Sequence, residues 1–318
     1  MFHWGCVIRT SKRSSDTLKP IVLLNATGNP VTVSAVAVDD YSLYAADSEG
    51  NLTIWSKPGL DSPDILPGQT LTQIESLLSD GQYLYSGSIS GDTVIRVYNL
   101  DLDLIHIIKG HVGTIFDMSV DDQHLLTGSG DATVKMWDKS DWSQVCSIVA
   151  QTHFVLSVAL DDDYIYAGGI DNCTNVFSRA SLKRVTSLHG HDANILSLTT
   201  DERYAYSGSG ELWWGGPGSP RPSVFESAIR VWDKRDWSCV EVLSGHRDNI
   251  NALAVDTNYV YSASDDSTVR VYSKADWSEV ASIDIGLGRV IDLVHDAKFL
   301  YFGCSDGNVR YIAKELFY

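Results

Sequence analysis

The stretch from Gly110 to Val145 reads GHVGTIFDMSVDDQHLLTGSGDATVKMWDKSDWSQV. Its runs IFDMSV, HLLTGS and TVKMWD are of strand length and rich in Val, Ile, Leu, Thr and aromatic residues, which favours β over helix. The turns GD and DKSDWS separate the later runs, and a fourth run begins at the end of the stretch. Four strands closed by tight turns make one antiparallel sheet, too small to bury its own faces. It must stack on copies of itself.

The copies are present. An Asp in the turn between the first two strands recurs as Asp39, Asp80, Asp121, Asp161, Asp201, Asp256 and Asp296. Five residues later stands Tyr44, Tyr85, Leu126, Tyr166, Tyr206, Tyr261 or Tyr301. The spacings are 41, 41, 40, 40, 55 and 40 residues, and four strands per period near 40 predict propeller blades. With GH at 110–111, 190–191 and 245–246 and WD at 137–138 and 232–233, the chain resembles the WD-repeat family from Leu18 onward. The expected fold is an all-β, seven-bladed β-propeller of four-stranded antiparallel blades, one domain over residues 18–318.

The last copy runs out after three strands, and PIVLL at 20–24 aligns with the fourth strand of the other copies. That N-terminal segment is expected to complete blade 7 and remove an open edge. Residues 1–17 form either a tail or an extra strand, FHWGCVIR, followed by the polar, basic link RTSKRSS. Blade 4 is degenerate, with Gln151 at the GH histidine position and Phe177 at the Trp position. Blade 5 carries an insert at 211–227 between its second and third strands.

Net charge is −17, which argues against nucleic acid and anionic membranes as partners and suits a basic protein or peptide. The five cysteines are widely spaced and odd in number, which fits reduced thiols in a cytoplasmic setting. No run reaches the length of a transmembrane helix. The seven turn aspartates serve their turns and, emerging on one side, would together form an acidic ring.

Blade 3 contains His111, Thr127, Asp131 and Trp137, and blade 6 contains His246, Ser262, Asp266 and Tyr272. A His, a hydroxyl and an Asp invite a catalytic reading. The family resemblance implies instead a structural tetrad, which recurs partially as His191, Ser207 and Trp232. The repeated KSDWS, KRDWS and KADWS turns place Trp142, Trp237 and Trp277 against neighbouring blades. The close His pairs lack Cys or carboxylate companions, so no metal and no cofactor is expected.

Two features are candidates for function. Trp213 and Trp214 stand adjacent in the Gly/Pro-rich insert, with Arg221 and Phe225, a composition typical of interface anchors. The resemblance implies that such a loop lies on the face where the family meets partners. It also implies that residues at the start of each first strand line that face. Seven positions before each turn Asp, these are Thr32, Gln73, Thr114, Phe154, Asn194, Asn249 and Arg289. The expected function is a non-enzymatic scaffold, a monomeric propeller within a complex, binding a protein or peptide there. The alternatives are a hydrolase or lyase using Asp117, Asp292 and His153 in the channel, and a structural module without a dedicated ligand.

Overall fold

The computed structural model describes residues 7–10, 22–25, 31–60, 63–66, 73–89, 91–211, 226–286 and 288–317. Seven antiparallel sheets follow one another around a ring. In blade 3, Ile115–Val120, His124–Ser129, Thr133–Asp138 and Gln144–Val149 pair in chain order as strands a, b, c and d. The other a strands are Val33–Val38, Ile74–Ser79, Val155–Leu160, Asn194–Thr200, Ile250–Val255 and Val290–His295. Each a strand touches the next, and the last touches the first.

Blade 7 takes its fourth strand from the N-terminal part of the chain. Val22–Asn25 pairs antiparallel with Asn308–Ala313, in register from Val22↔Tyr311 to Asn25↔Asn308. The short segment Val7–Thr10 adds a fifth strand outside Glu279–Asp284 of blade 6. In blade 1 the Pro-rich stretch allows only a three-residue d strand, Asp64–Leu66.

The turn aspartates account for the regularity of the a–b hairpins. In each blade one carboxylate oxygen accepts the backbone N–H groups two and three residues on, as at Asp121 with Gln123 and His124 at 2.8 and 2.7 Å. The other oxygen accepts the Tyr hydroxyl five residues on, at 2.7–2.9 Å in six blades. Leu126 fills that position in blade 3.

The apolar core is divided among the joints between blades, with one cluster at each of the seven. The β-branched residue that opens each a strand, Ile115 or Ile195 for example, packs against a small residue on strand b of the preceding blade. A Cβ built on Gly168 would lie 2.5 Å from the Ile195 side chain, and one on Gly87 would lie 2.8 Å from Ile115. Glycine at these two positions is what the close approach of the sheets requires. Trp142, Trp237 and Trp277 pack edge-on against Tyr83, Tyr164 and Tyr204 of the preceding blade, at 5.2, 5.0 and 5.3 Å.

Candidate functional site

The a strands enclose a central channel of about 690 Å³. Every a strand carries a β-bulge near its start, at Ser34, Glu75, Phe116, Leu156, Leu196, Asn251 and Ile291. A bulge leaves its residue out of the ladder and re-aims the side chain. All seven bulge residues line the channel. They make it two-sided. Phe116, Leu156 and Leu196 form an apolar arc on consecutive blades 3–5, while Asn251, Ser34 and Glu75 bring polar groups on the other side, interrupted by Ile291 of blade 7. Burial pushes the Glu75 carboxyl up from its ordinary range, against the Gln73 amide that donates to it at 3.0 Å.

This ring replaces much of the rim expected from sequence. Of the seven residues counted back from the turn aspartates, Asn249 and Arg289 line the channel. The others occupy positions just before their strands or at their first residue, and several are drawn into contacts within the ring. Thr32 donates to the Ser305 carbonyl at 3.3 Å, and Asn194 donates to the Asn172 side chain at 2.9 Å. Gln73 holds Glu75, and Phe154 packs against Phe116 at 5.8 Å, so both support bulge residues. Thr114 receives the Gly130 N–H on its carbonyl at 2.9 Å. The bulge residues stand five positions before each turn Asp, a fixed spacing in the sequence.

Trp213, Trp214, Arg221 and Phe225 lie outside the described residues. The two ends of the insert are fixed. Glu211 exchanges backbone hydrogen bonds with the Asn249 side chain at 2.7 and 3.2 Å, which roots it beside the channel mouth. Glu226 donates its N–H to Asp192 at 3.0 Å.

Below the mouth, a girdle of polar side chains crosses every joint. Ser34 donates to the Ile74 carbonyl at 2.6 Å, Ser197 to Ile250 at 3.0 Å and Asn251 to Val290 at 2.8 Å. A weaker contact joins Ser76 to the Ile115 carbonyl at 3.4 Å. At the remaining joints the direction reverses, with Asp117, Ser157 and Asp292 accepting the N–H of Val158, Leu198 and Val36 at 2.8, 2.9 and 2.8 Å. Asp117 also accepts the Ser157 hydroxyl at 2.7 Å. Both aspartates are committed to backbone donors. Burial pushes Asp117 up to about 6 and also raises Asp292. His153 is exposed and does not line the channel. Asp117 and Asp292 thus share the channel, and His153 is not brought to them.

The tetrads close the opposite ends of the d–a loops. His111 bridges Asp131 and Thr127 at 2.8 Å each, and Trp137 donates to the same threonine hydroxyl at 3.0 Å. His246 bridges Asp266 and Ser262 at 2.9 and 2.7 Å. Tyr272 does not repeat the tryptophan's contact. Its hydroxyl reaches past Ser262 to the Ser244 carbonyl at 3.3 Å, because a phenol is longer and narrower than an indole. In blade 5, Glu226 from the end of the insert supplies the carboxylate, 3.0 Å from His191. In blade 4, Gln151 substitutes for the histidine by donating to the Ala167 and Cys173 carbonyls at 2.8 and 3.2 Å. Burial would raise Asp131 and Asp266, but the facing histidines hold both well below the usual carboxylate range. Burial lowers His191 and His246.

On the other face, the expected acidic ring is largely neutralised. Asp296, Asp80, Asp161 and Asp201 each accept Lys57, Lys139, Lys234 and Lys274 of the following blade at 2.6–2.7 Å. Asp121 takes Arg179 at 2.5 Å, and Asp256 pairs with Lys314. Burial alone would raise Asp256, but Lys314 and neighbouring donors bring it down to about 2. Five of these cations stand eighteen residues after a turn Asp, a periodic signal that the aspartates overshadowed.

Known proteins resemble this chain. The WD40 family model, described as WD domain, G-beta repeat, matches residues 102–138 and 237–273. A guanine nucleotide-binding protein subunit beta of Saccharomyces cerevisiae is 24% identical over 144 residues, which is 43% of this chain. That alignment spans 34% of the yeast protein's length. The crystal structure of the WD40 beta propeller domain of Doa1 superposes with a TM-score of 0.77 at 20% identity, over 92% of this chain and 97% of that one.

Proposed function

Because the chain belongs to the WD-repeat β-propellers, we propose that it is a non-enzymatic scaffold holding a protein or peptide partner at the bulge-lined channel mouth. The observation that carries this reading is the bulge ring. Seven bulges bring side chains of six residue types to one opening, and although Ser34 and Asn251 also bond across joints, that variety exceeds what packing between blades requires. A partner would set apolar side chains against Phe116 and Leu196 and polar groups toward Glu75, Asn251 and Arg289. The insert rooted at Glu211 would bring Trp213 and Trp214 to the same rim, with Arg221 and Phe225. A rigid ring loses little ordering entropy on binding, so modest contact areas suffice. A cytoplasmic setting suits the reading, and the described cysteines Cys146, Cys173, Cys239 and Cys304 are free thiols. Among the described residues no helix is long and apolar enough to cross a membrane.

The test is affinity capture from lysate of the source cells, with Phe116→Asp and Trp213→Ala/Trp214→Ala variants beside the unmodified protein. Proteins captured by the unmodified chain and lost by both variants support the mouth as the site. The same proteins retained by both variants would overturn it.

A further inference from the structure

The ionic ring on the face opposite the channel mouth is broken at one place. Six turn aspartates carry a lysine or arginine from the following blade. At the joint between blades 1 and 2 the cation position holds Leu100, which is 41% exposed. No cation pairs with the Asp39 carboxylate among the described residues. Its second oxygen accepts the Tyr44 and Ser79 hydroxyls at 2.9 and 2.8 Å, so Ser79 supplies a hydrogen bond where the other joints supply a charge.

A second departure from the repeat falls at the same joint. Two residues past the turn Asp the blades carry Gln82, Gln123, Asp163, Arg203, Asn258 and Lys298, all polar. Blade 1 alone places an aromatic residue there, Tyr41, which is 67% exposed. Neither Tyr41 nor Leu100 is spent on the core, and Asp40 between Asp39 and Tyr41 is also exposed. Two exposed apolar side chains thus flank the one turn carboxylate whose charge the ring leaves uncancelled.

We propose that this joint is a docking site for a lysine or arginine side chain of a partner protein, which completes the ring from outside. The other six joints serve as the template: an ammonium or guanidinium seated on the second oxygen of the turn aspartate. The aliphatic stem of the incoming residue and its apolar neighbours lie against Tyr41 and Leu100, as long basic side chains cover apolar surface while keeping the charge at a polar group. The site is on the opposite face from the channel mouth, so either can fail without the other.

The experiment titrates the whole chain with short acetylated, amidated peptides that carry one lysine or one arginine between two leucines. The matching norleucine peptide is the control. The readout is the NMR shift of the Tyr41 and Ser42 amides, which donate to Asp39 at 2.8 Å each. The lysine and arginine peptides are expected to give saturable shifts that weaken with added salt, and the norleucine peptide none. Leu100→Lys fills the vacancy with the protein's own cation and is expected to weaken binding at least tenfold without disturbing the turn. Asp39→Asn gives the same loss, but it also touches the turn, so Leu100→Lys is the deciding variant. Absence of saturable shifts in the unmodified chain, equal response to norleucine, or unchanged binding in Leu100→Lys each overturns the proposal.

Discussion

Two sets of aspartates tie neighbouring blades together, and they do so by opposite physics. In the girdle around the channel, Asp117 and Asp292 are part-buried between the a strands and accept backbone N–H groups of the next blade. Withdrawal from water dominates there, and the Asp117 carboxyl rises to about 6. On the outer face the turn aspartates are partly exposed and sit against lysines and arginines. Charge pairing and backbone donors overcome burial there, and Asp256 falls to about 2. Hydrogen-bond count alone does not separate the two sets. What separates them is whether a positive charge accompanies the donors.

The difference is most sharply tested in the girdle. Asp117→Ala leaves the Val158 N–H and the Ser157 hydroxyl without their acceptor, and unpaired buried donors cost about 1–3 kcal/mol each. A loss of about 3 kcal/mol in chemical denaturation is expected, the largest of the changes considered. Asp117→Asn keeps an acceptor and should stay near the unmodified protein at neutral pH.

The two sets also predict opposite responses to acid. A carboxyl whose folded value is raised binds its proton earlier in the folded chain, so Asp117 adds stability as pH falls from about 6 toward 4. Turn aspartates with depressed values contribute stability above about 4, which is lost as pH falls through their folded values, near 2 for Asp256. Denaturation midpoints measured across pH should show the gain on acidification shrink in Asp117→Asn, the remainder being carried by Asp292 and Glu75, which burial also raises. Lys314→Met should leave that limb intact and reduce the loss below about pH 4. If Asp117→Asn kept the whole gain, the share of the upper limb assigned to Asp117 would be wrong.

Single ion pairs on the outer face are a smaller matter. Lys274→Met is expected to cost about 1 kcal/mol or less, with the cost shrinking at high salt because the pair is partly solvated. Leu100→Lys runs the comparison in reverse. Supplying the missing cation should stabilise the blade 1–blade 2 joint by about 0.5 kcal/mol, read as a small salt-sensitive rise in Tm. A rise that persists in high salt would mean that the change acts through packing rather than through Asp39.

The repeat made most of this architecture legible before any coordinates. Seven aspartates at near-constant spacing fixed the blade count, because an Asp in a tight turn and a Tyr five residues later are local needs that each blade must satisfy separately. The histidine, hydroxyl and carboxylate of blades 3 and 6 were readable for the same reason, since each tetrad lies within one repeat. The channel lining was readable only in part. Counting from the turn gave Thr32 through Arg289, of which Asn249 and Arg289 line the channel; a bulge in each a strand brings the residue two places later there as well, and bulges leave little trace in an apolar run. Glu226 as the blade 5 carboxylate was hidden because the insert displaced it from the repeat's spacing.

Sequence by itself determined what is local and repeated: the hairpins, their turns and the number of blades. Tertiary structure decided what depends on two blades at once. The lysine that pairs with an aspartate comes from the following blade, and the carboxyl whose pKa is raised owes the rise to its withdrawal from water between neighbouring blades. Charge balance and burial are properties of a joint, and no single repeat contains one.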